Sequence, residues 1–203
     1  ATSTPATSTA TVSTPTAELN TPTVIATVTT STAPSLNFIA DADAQVKESN
    51  PGKNYGNFTT LQVDGGDDPD VESFIRFTVT GISDTVQGVQ LRVYNTTNAS
   101  KHGPSIYATD ASWSENEITW ASRPGRVGGP LDSAGSIPEN TWVEYDVTSF
   151  VKGDGVVSFV LVMDSKDAAT FSSREGSQPP QLVITFGNEL PSTATPELPA
   201  GDA

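Results

Sequence analysis

The sequence has no cysteine among its 203 residues, which excludes disulfides and thiolate metal centres alike. An extracellular setting stays open, because a core of this size does not depend on covalent staples. Histidine occurs once, as His102 in the turn-rich stretch from Asn98 to Pro104. A Ser-His-Asp relay would have to use it, and a solvated loop histidine is the simpler reading. Basic residues are scarce, 10 Lys and Arg against 24 Asp and Glu, for a net charge of -14. Such a surface repels phosphate backbones and anionic lipid, so nucleic acid is excluded as a partner and polyanionic glycans are disfavoured. No apolar run approaches the ~18 residues that a spanning helix needs, so no membrane insertion is expected. The chain opens at Ala1 with no methionine and no basic-plus-apolar leader. We expect either a secreted protein whose leader has been removed or a fragment.

What the chain has in excess is threonine, serine and proline at its ends. Residues 1–35 hold 13 Thr and 5 Ser, with Pro5, Pro15, Pro22 and Pro34, and their only charge is Glu18. This composition cannot bury a core and favours extended chain. It is also the usual acceptor for dense O-glycosylation, so covalent glycans on Ser/Thr are expected. Residues 188–203 repeat the flavour in Pro191-Ser192-Thr193-Ala194-Thr195-Pro196. Within the first tail, Thr23, Val24, Ile25, Ala26, Thr27, Val28, Thr29 and Thr30 form a continuous β-prone run. Val24, Ala26 and Val28 would share one strand face. The run is either a linker that contains valines or an arm that adds to a sheet edge of a neighbouring copy.

Residues 36–187 read as one all-β domain. Short alternating or solidly apolar runs are separated by turn residues such as Asn50-Pro51-Gly52, Asp64-Gly65-Gly66 and Gly128-Gly129-Pro130. The pattern predicts strands near Leu36–Ala40, Thr60–Asp64, Ser73–Thr80, Gln87–Tyr94, Ser105–Thr109, Glu117–Trp120, Trp142–Val147, Val156–Met163, Ala169–Ser172 and Gln181–Phe186. Phe74, Arg76 and Thr78 should face one way and Ile75, Phe77 and Val79 the other. A single helical turn is predicted within 146–153, with Asp146 or Thr148 as cap and Gly153 as stop. The architecture that fits is an antiparallel, jelly-roll-like β-sandwich with extended Ser/Thr/Pro-rich terminal tails.

The segment from Trp113 to Pro124 carries two of the three tryptophans. We expect it to be a loop running into a short strand, pinned to the sandwich by a ring at each end. It is also part of an ordered set of motifs. These are Asp41-Ala42 with Val46, Asn54-Tyr55-Gly56, Leu61-Gln62-Val63-Asp64-Gly65, Phe74-Ile75-Arg76-Phe77 and Leu91-Arg92-Val93-Tyr94. They continue with Trp113-Ser114-Glu115, Ile118-Thr119-Trp120 and Pro124, then Trp142 with Asp146-Val147-Thr148, and Phe171-Ser172-Ser173-Arg174-Glu175. The set resembles the bacterial and archaeal DNRLRE domain and carbohydrate-binding module family 96. That resemblance implies a non-catalytic extracellular β-sandwich, in a family some of whose members bind acidic polysaccharides such as alginate. Ten basic residues against 24 acids depart from such binding and point to neutral polysaccharide instead.

Carboxylate pairs such as Glu115 and Glu117 beside Trp113 and Trp120 would suit glycoside chemistry. With 24 acids in the chain such pairs are unavoidable, and no enzyme is expected. Asp64, Asp67, Asp68 and Asp70 crowd a glycine-containing loop and form a candidate calcium site, without EF-hand spacing. Trp113, Trp120, Trp142 and Arg174 are the candidate carbohydrate-binding residues. The competing reading makes the rings core or loop anchors, and Arg76, Arg92 and Arg174 structural ion pairs. N-glycosylation sequons start at Asn57, Asn95 and Asn98. Three functions follow, the third being a calcium-stabilised adhesin segment. The first is an extracellular structural subunit that assembles head-to-tail into a homopolymer through its N-terminal arm. The alternative is a carbohydrate-binding module of a larger secreted protein.

Overall fold

The computed structural model describes residues 33–97 and 99–187. They form β1 (Ser35–Ile39), β2 (Ala42–Lys47), β3 (Thr60–Val63), β4 (Val71–Val79), β5 (Val86–Thr97), β6 (Ser105–Thr109), β7 (Arg126–Ser133), β8 (Thr141–Asp146), β9 (Gly155–Val162), β10 (Ala169–Ser172) and β11 (Gln181–Phe186). Every pairing is antiparallel. A six-stranded sheet runs β1-β11-β5-β10-β3, with β8 on the other side of the long β5, and a five-stranded sheet runs β2-β4-β9-β6-β7. The molecule is thus an all-β, two-sheet sandwich. The β-prone run Thr23–Thr30 and the tail after Gly187 lie outside the described residues.

Alternation decides which side chains meet between the sheets. Ile75, Phe77 and Val79 of β4 join Phe159 and Leu161 of β9, Leu91 and Val93 of β5, and Leu182 and Ile184 of β11 in one core. Phe74 points the other way. β9 is buried on both faces from Ser158 to Val162, which is why its sequence reads as a solid apolar run rather than an alternating one. The five-stranded sheet therefore needs a second cover. Ala42, Ala44, Val46, Phe74, Val160 and Val162 on its outer face pack against Trp113 and Ile118, with Tyr107 and Trp120 at the margin.

That cover is the segment between β6 and β7. It contains no strand: Glu117 N and Ile118 N both donate to Ser114 O (3.0 and 2.9 Å), so the strand expected over Glu117–Trp120 is a pair of turns. Turning brings Trp113 and Ile118 onto the same face of the sheet, which an extended chain would not do. The sequence pattern also left out β2 and β7. β2 reads Ala-Asp-Ala-Gln-Val-Lys, poor in β-branched residues, and is held by its register against β4. β7 contains Gly128-Gly129-Pro130, and a proline is tolerated there because β7 is an edge strand. The expected helical turn is present. Val147 O accepts from Phe150 N and Val151 N, and Asp146 Oδ1 caps Thr148 N at 2.9 Å. Thr148 Oγ1 is used instead to accept from Val89 N (2.8 Å).

Trp113 is the anchor of the cover. Its indole Nε1 donates to Ser158 Oγ at 2.8 Å in a buried contact, its ring meets Phe74 edge-on, and only 7 % of it is exposed. Trp113→Ala is expected to cost about 3 kcal/mol of unfolding free energy, measured by urea denaturation. A cost under about 1 kcal/mol would mean that the outer face of the sheet needs no lid.

Candidate functional site

The outer face of the six-stranded sheet carries the side chains that the core does not use. In β5 these are Gln90, Arg92 and Tyr94, because Val89, Leu91 and Val93 turn inward. Across the ladder Tyr94 stands opposite Trp142 and Arg92 opposite Glu144, with Gln181 of β11 on the other side of Arg92. Tyr94 and Trp142 are half-buried and meet at a ring-centroid distance of 5.4 Å and an interplanar angle of 72°. The Arg92 guanidinium lies 4.8 Å from the Trp142 ring centroid. It donates to Glu144 Oε1 at 2.8 Å and to Gln181 Oε1 at 3.3 Å. The result is an aromatic pair set in a field of fixed donors and acceptors. An apolar sugar face can lie on such rings while its hydroxyls reach the polar groups beside them.

The other tryptophans stand elsewhere. Trp113 lines a cleft of about 310 Å³ with Ser114, Glu117, Ile118 and Ser122, while the ring itself belongs to the outer-face cluster. Trp120 has the Arg123 guanidinium 3.4 Å from its ring centroid. Arg123 also donates to Trp120 O (2.6 Å) and to Glu72 Oε2 (2.9 Å), and Arg126 donates to Glu72 Oε1 (2.8 Å). The side chain of Glu72 is 5 % exposed, so this pair of arginines neutralises a buried acid and ties down the end of the cover.

Arg174 belongs to a third constellation. Asp43 from β2, Glu115 from the cover and Glu175 from the turn after β10 converge, with one oxygen of each within 4.8 Å of the others. Glu115 Oε1 accepts from Asp43 N (2.9 Å) and Arg174 Nε (3.1 Å). Asp43 Oδ2 accepts from Arg174 N (2.7 Å), and Glu175 Oε1 accepts from Arg174 Nε (3.0 Å). The Glu115 and Ile118 carbonyls are both taken by Asn54 Nδ2, at 2.8 and 2.7 Å. Gly56 is required beside them, because a Cβ there would collide with the Glu115 carbonyl oxygen. Asp43 is 1 % exposed, and its Oδ1 is buried without a hydrogen-bond partner. Sequence reasoning passed over Asp43 and took Asn54 only as part of the Asn54-Tyr55-Gly56 motif. The signal available for Asp43 was a lone acid inside the apolar alternation of Ala42, Ala44 and Val46.

Asp64, Asp67, Asp68 and Asp70 do not converge in this way, since no three of their carboxylates lie within 4.8 Å of one another. Asp64 Oδ1 accepts from Gly65 N (3.0 Å), and Asp67 pairs with Lys166 at 3.0 Å. Burial pushes Asp70 up, with Glu48 and Glu72 adding to it. Of the sequons, Asn57 is exposed, Asn95 is buried and Asn98 lies outside the described residues. Arg76 is a structural ion pair, donating to Asp41 Oδ1 (2.8 Å) and to the Trp113 carbonyl (2.7 Å).

Burial, reinforced by Glu175 and Glu115, pushes the Asp43 carboxyl from 3.8 up to about 8, against the opposing hydrogen bond from the Arg174 N–H. A carboxyl whose folded value is raised stabilises the fold in its protonated form. That contribution is complete below about pH 4 and disappears as pH rises through about 8. Thermal melts in buffer free of divalent cations should therefore show wild type losing stability relative to Asp43→Asn between pH 5 and pH 8. A difference that does not change with pH would contradict the shift.

A comparison with curated proteins returned no match. The model of a protein family does match, over residues 34–186, which is nearly the whole of the described sandwich. Members of that family bind sugars without acting on them. The chain belongs to carbohydrate-binding module family 96.

Proposed function

We propose that this domain is an extracellular, non-catalytic module that holds a neutral polysaccharide against the outer face of its six-stranded sheet. Tyr94 and Trp142 supply the stacking surface, and Arg92, Glu144 and Gln181 supply hydrogen bonds to hydroxyls. The observation that carries this reading is the half-buried Tyr94–Trp142 pair with Arg92 against the indole, on a sheet face free of the main core. A net charge of -14 favours an uncharged chain over alginate-like polymers. The Ser/Thr/Pro-rich tails serve in this reading as glycosylated spacers to neighbouring parts of a larger secreted protein.

Affinity electrophoresis through gels containing single neutral polysaccharides tests the site. Trp142→Ala should weaken retardation about tenfold or more, a loss of ~1.4 kcal/mol or greater. Trp120→Ala should leave it within about twofold, since that ring packs at the margin of the cover over the other sheet. Retardation lost with Trp120 and kept without Trp142 would overturn the assignment.

A second reading keeps the homopolymer. β7 ends its sheet with Arg126 to Pro130 exposed, and Val127 is 57 % exposed. An extended arm from another copy, formed by Thr23–Thr30, could pair along such an edge. Electron microscopy of the full chain beside one lacking residues 1–31 decides it. Fibres formed only by the full chain support arm exchange, and fibres formed by both, or by neither, remove it.

A further inference from the structure

We propose that Asp43, Glu115 and Glu175 form a divalent-cation site, with calcium as the ion that fits, clipping the cover segment and the turn after β10 onto β2. The inference does not depend on the sugar face. Three segments far apart in sequence each deliver one carboxylate to a common point, with ligand oxygens within 4.8 Å of one another. Several carboxylates converging on one point suit calcium, which takes six to eight hard oxygens, better than magnesium, which keeps most of its water and takes one or two carboxylates.

The oxygen that points to a ligand is Asp43 Oδ1. It is buried with no hydrogen-bond partner, on a residue 1 % exposed. Leaving a carboxylate oxygen unpaired at such depth is costly. The charged groups facing it are Glu115, Glu175 and Arg174. Three carboxylates and one guanidinium sum to two negative charges, which one divalent cation neutralises. A proton on Asp43 neutralises only one of them.

The donors are also held in place. The Asp43 N–H and Arg174 Nε fix Glu115 Oε1, the Arg174 N–H fixes Asp43 Oδ2, and Arg174 Nε fixes Glu175 Oε1. Asp43 Oδ1 is the oxygen left for the ion, with the Glu115 and Glu175 carboxylates beside it. Water would complete a shell of hard oxygens.

The test is isothermal titration of EDTA-treated full chain with calcium chloride at pH 7.5, beside thermal melts with and without the ion. One calcium per chain and a raised Tm are expected, with a Kd of about 10⁻⁵–10⁻³ M, a range seen in extracellular modules and sensors. Asp43→Asn should weaken binding at least ~100-fold, beyond the usual loss of a second-shell partner. It should still give a cooperative melt in EDTA, which shows that the loss is not misfolding. Glu175→Gln should repeat the loss of binding, and Asp67→Asn should bind as wild type. No calcium heat and no shift in Tm, or Asp43→Asn binding as tightly as wild type, would overturn the site. Binding abolished by Asp67→Asn would do so too, by placing the ion in the loop after β3.

Discussion

The five-stranded sheet is apolar on both faces, and much of the rest of the structure follows from having to cover it twice. Strand β9 is the clearest case, with Phe159 and Leu161 in the inter-sheet core and Val160 and Val162 on the outside. The six-stranded sheet covers one face. An irregular segment covers the other, and irregular chain has backbone groups that no ladder satisfies. Each critical carbonyl is met by a dedicated side chain: Trp113 O by Arg76, Glu115 and Ile118 O by Asn54, and Trp120 O by Arg123. These donors explain why polar residues are so specific at positions that touch no ligand.

The acidic cluster is a consequence of the same covering. To seat Trp113 over Phe74, the chain must bring Glu115 against the backbone of β2, and the Asp43 N–H then takes its carboxylate. The turn after β10 arrives from the other sheet and adds Arg174 and Glu175. Charge gathers at the junction of three segments, where a bound ion would couple the lid to the sandwich. The face proposed to hold sugar has opposite requirements. It lies on the outer side of the other sheet, where Trp142 needs no cover and its partners Arg92 and Glu144 are themselves partly exposed.

Much of this was legible in the sequence. Runs such as Phe74 to Val79 and Val156 to Met163 announce their strands and, in the first case, which residues share a face, because the side-chain period of a strand is two. β2 and β7 were hidden, since Ala42–Lys47 and Arg126–Ser133 are held by neighbours rather than by propensity. Glu117–Trp120 looked like a strand because ring spacing alone does not distinguish extended chain from a turn that folds both ends onto one surface. Composition offers three tryptophans as equals. Only the register that sets Trp142 beside Tyr94, and the loop that buries Trp113, separates them. Asp43 was the hardest to find: one acid among 24, distinguished only by the strand that buries it.

The central claim is that the three tryptophans do three different jobs, and their indole N–H signals report on them separately. We would record ¹⁵N-correlated spectra of the full chain in EDTA, then with calcium, then with a retained neutral polysaccharide. The account predicts that calcium moves Trp113, which lies two residues before Glu115, and leaves Trp142 in place. It predicts that the sugar moves Trp142 and leaves Trp113 in place. Sugar-induced shifts at Trp113 with Trp142 unmoved would contradict it, placing recognition in the cleft beside the cover rather than on the open sheet.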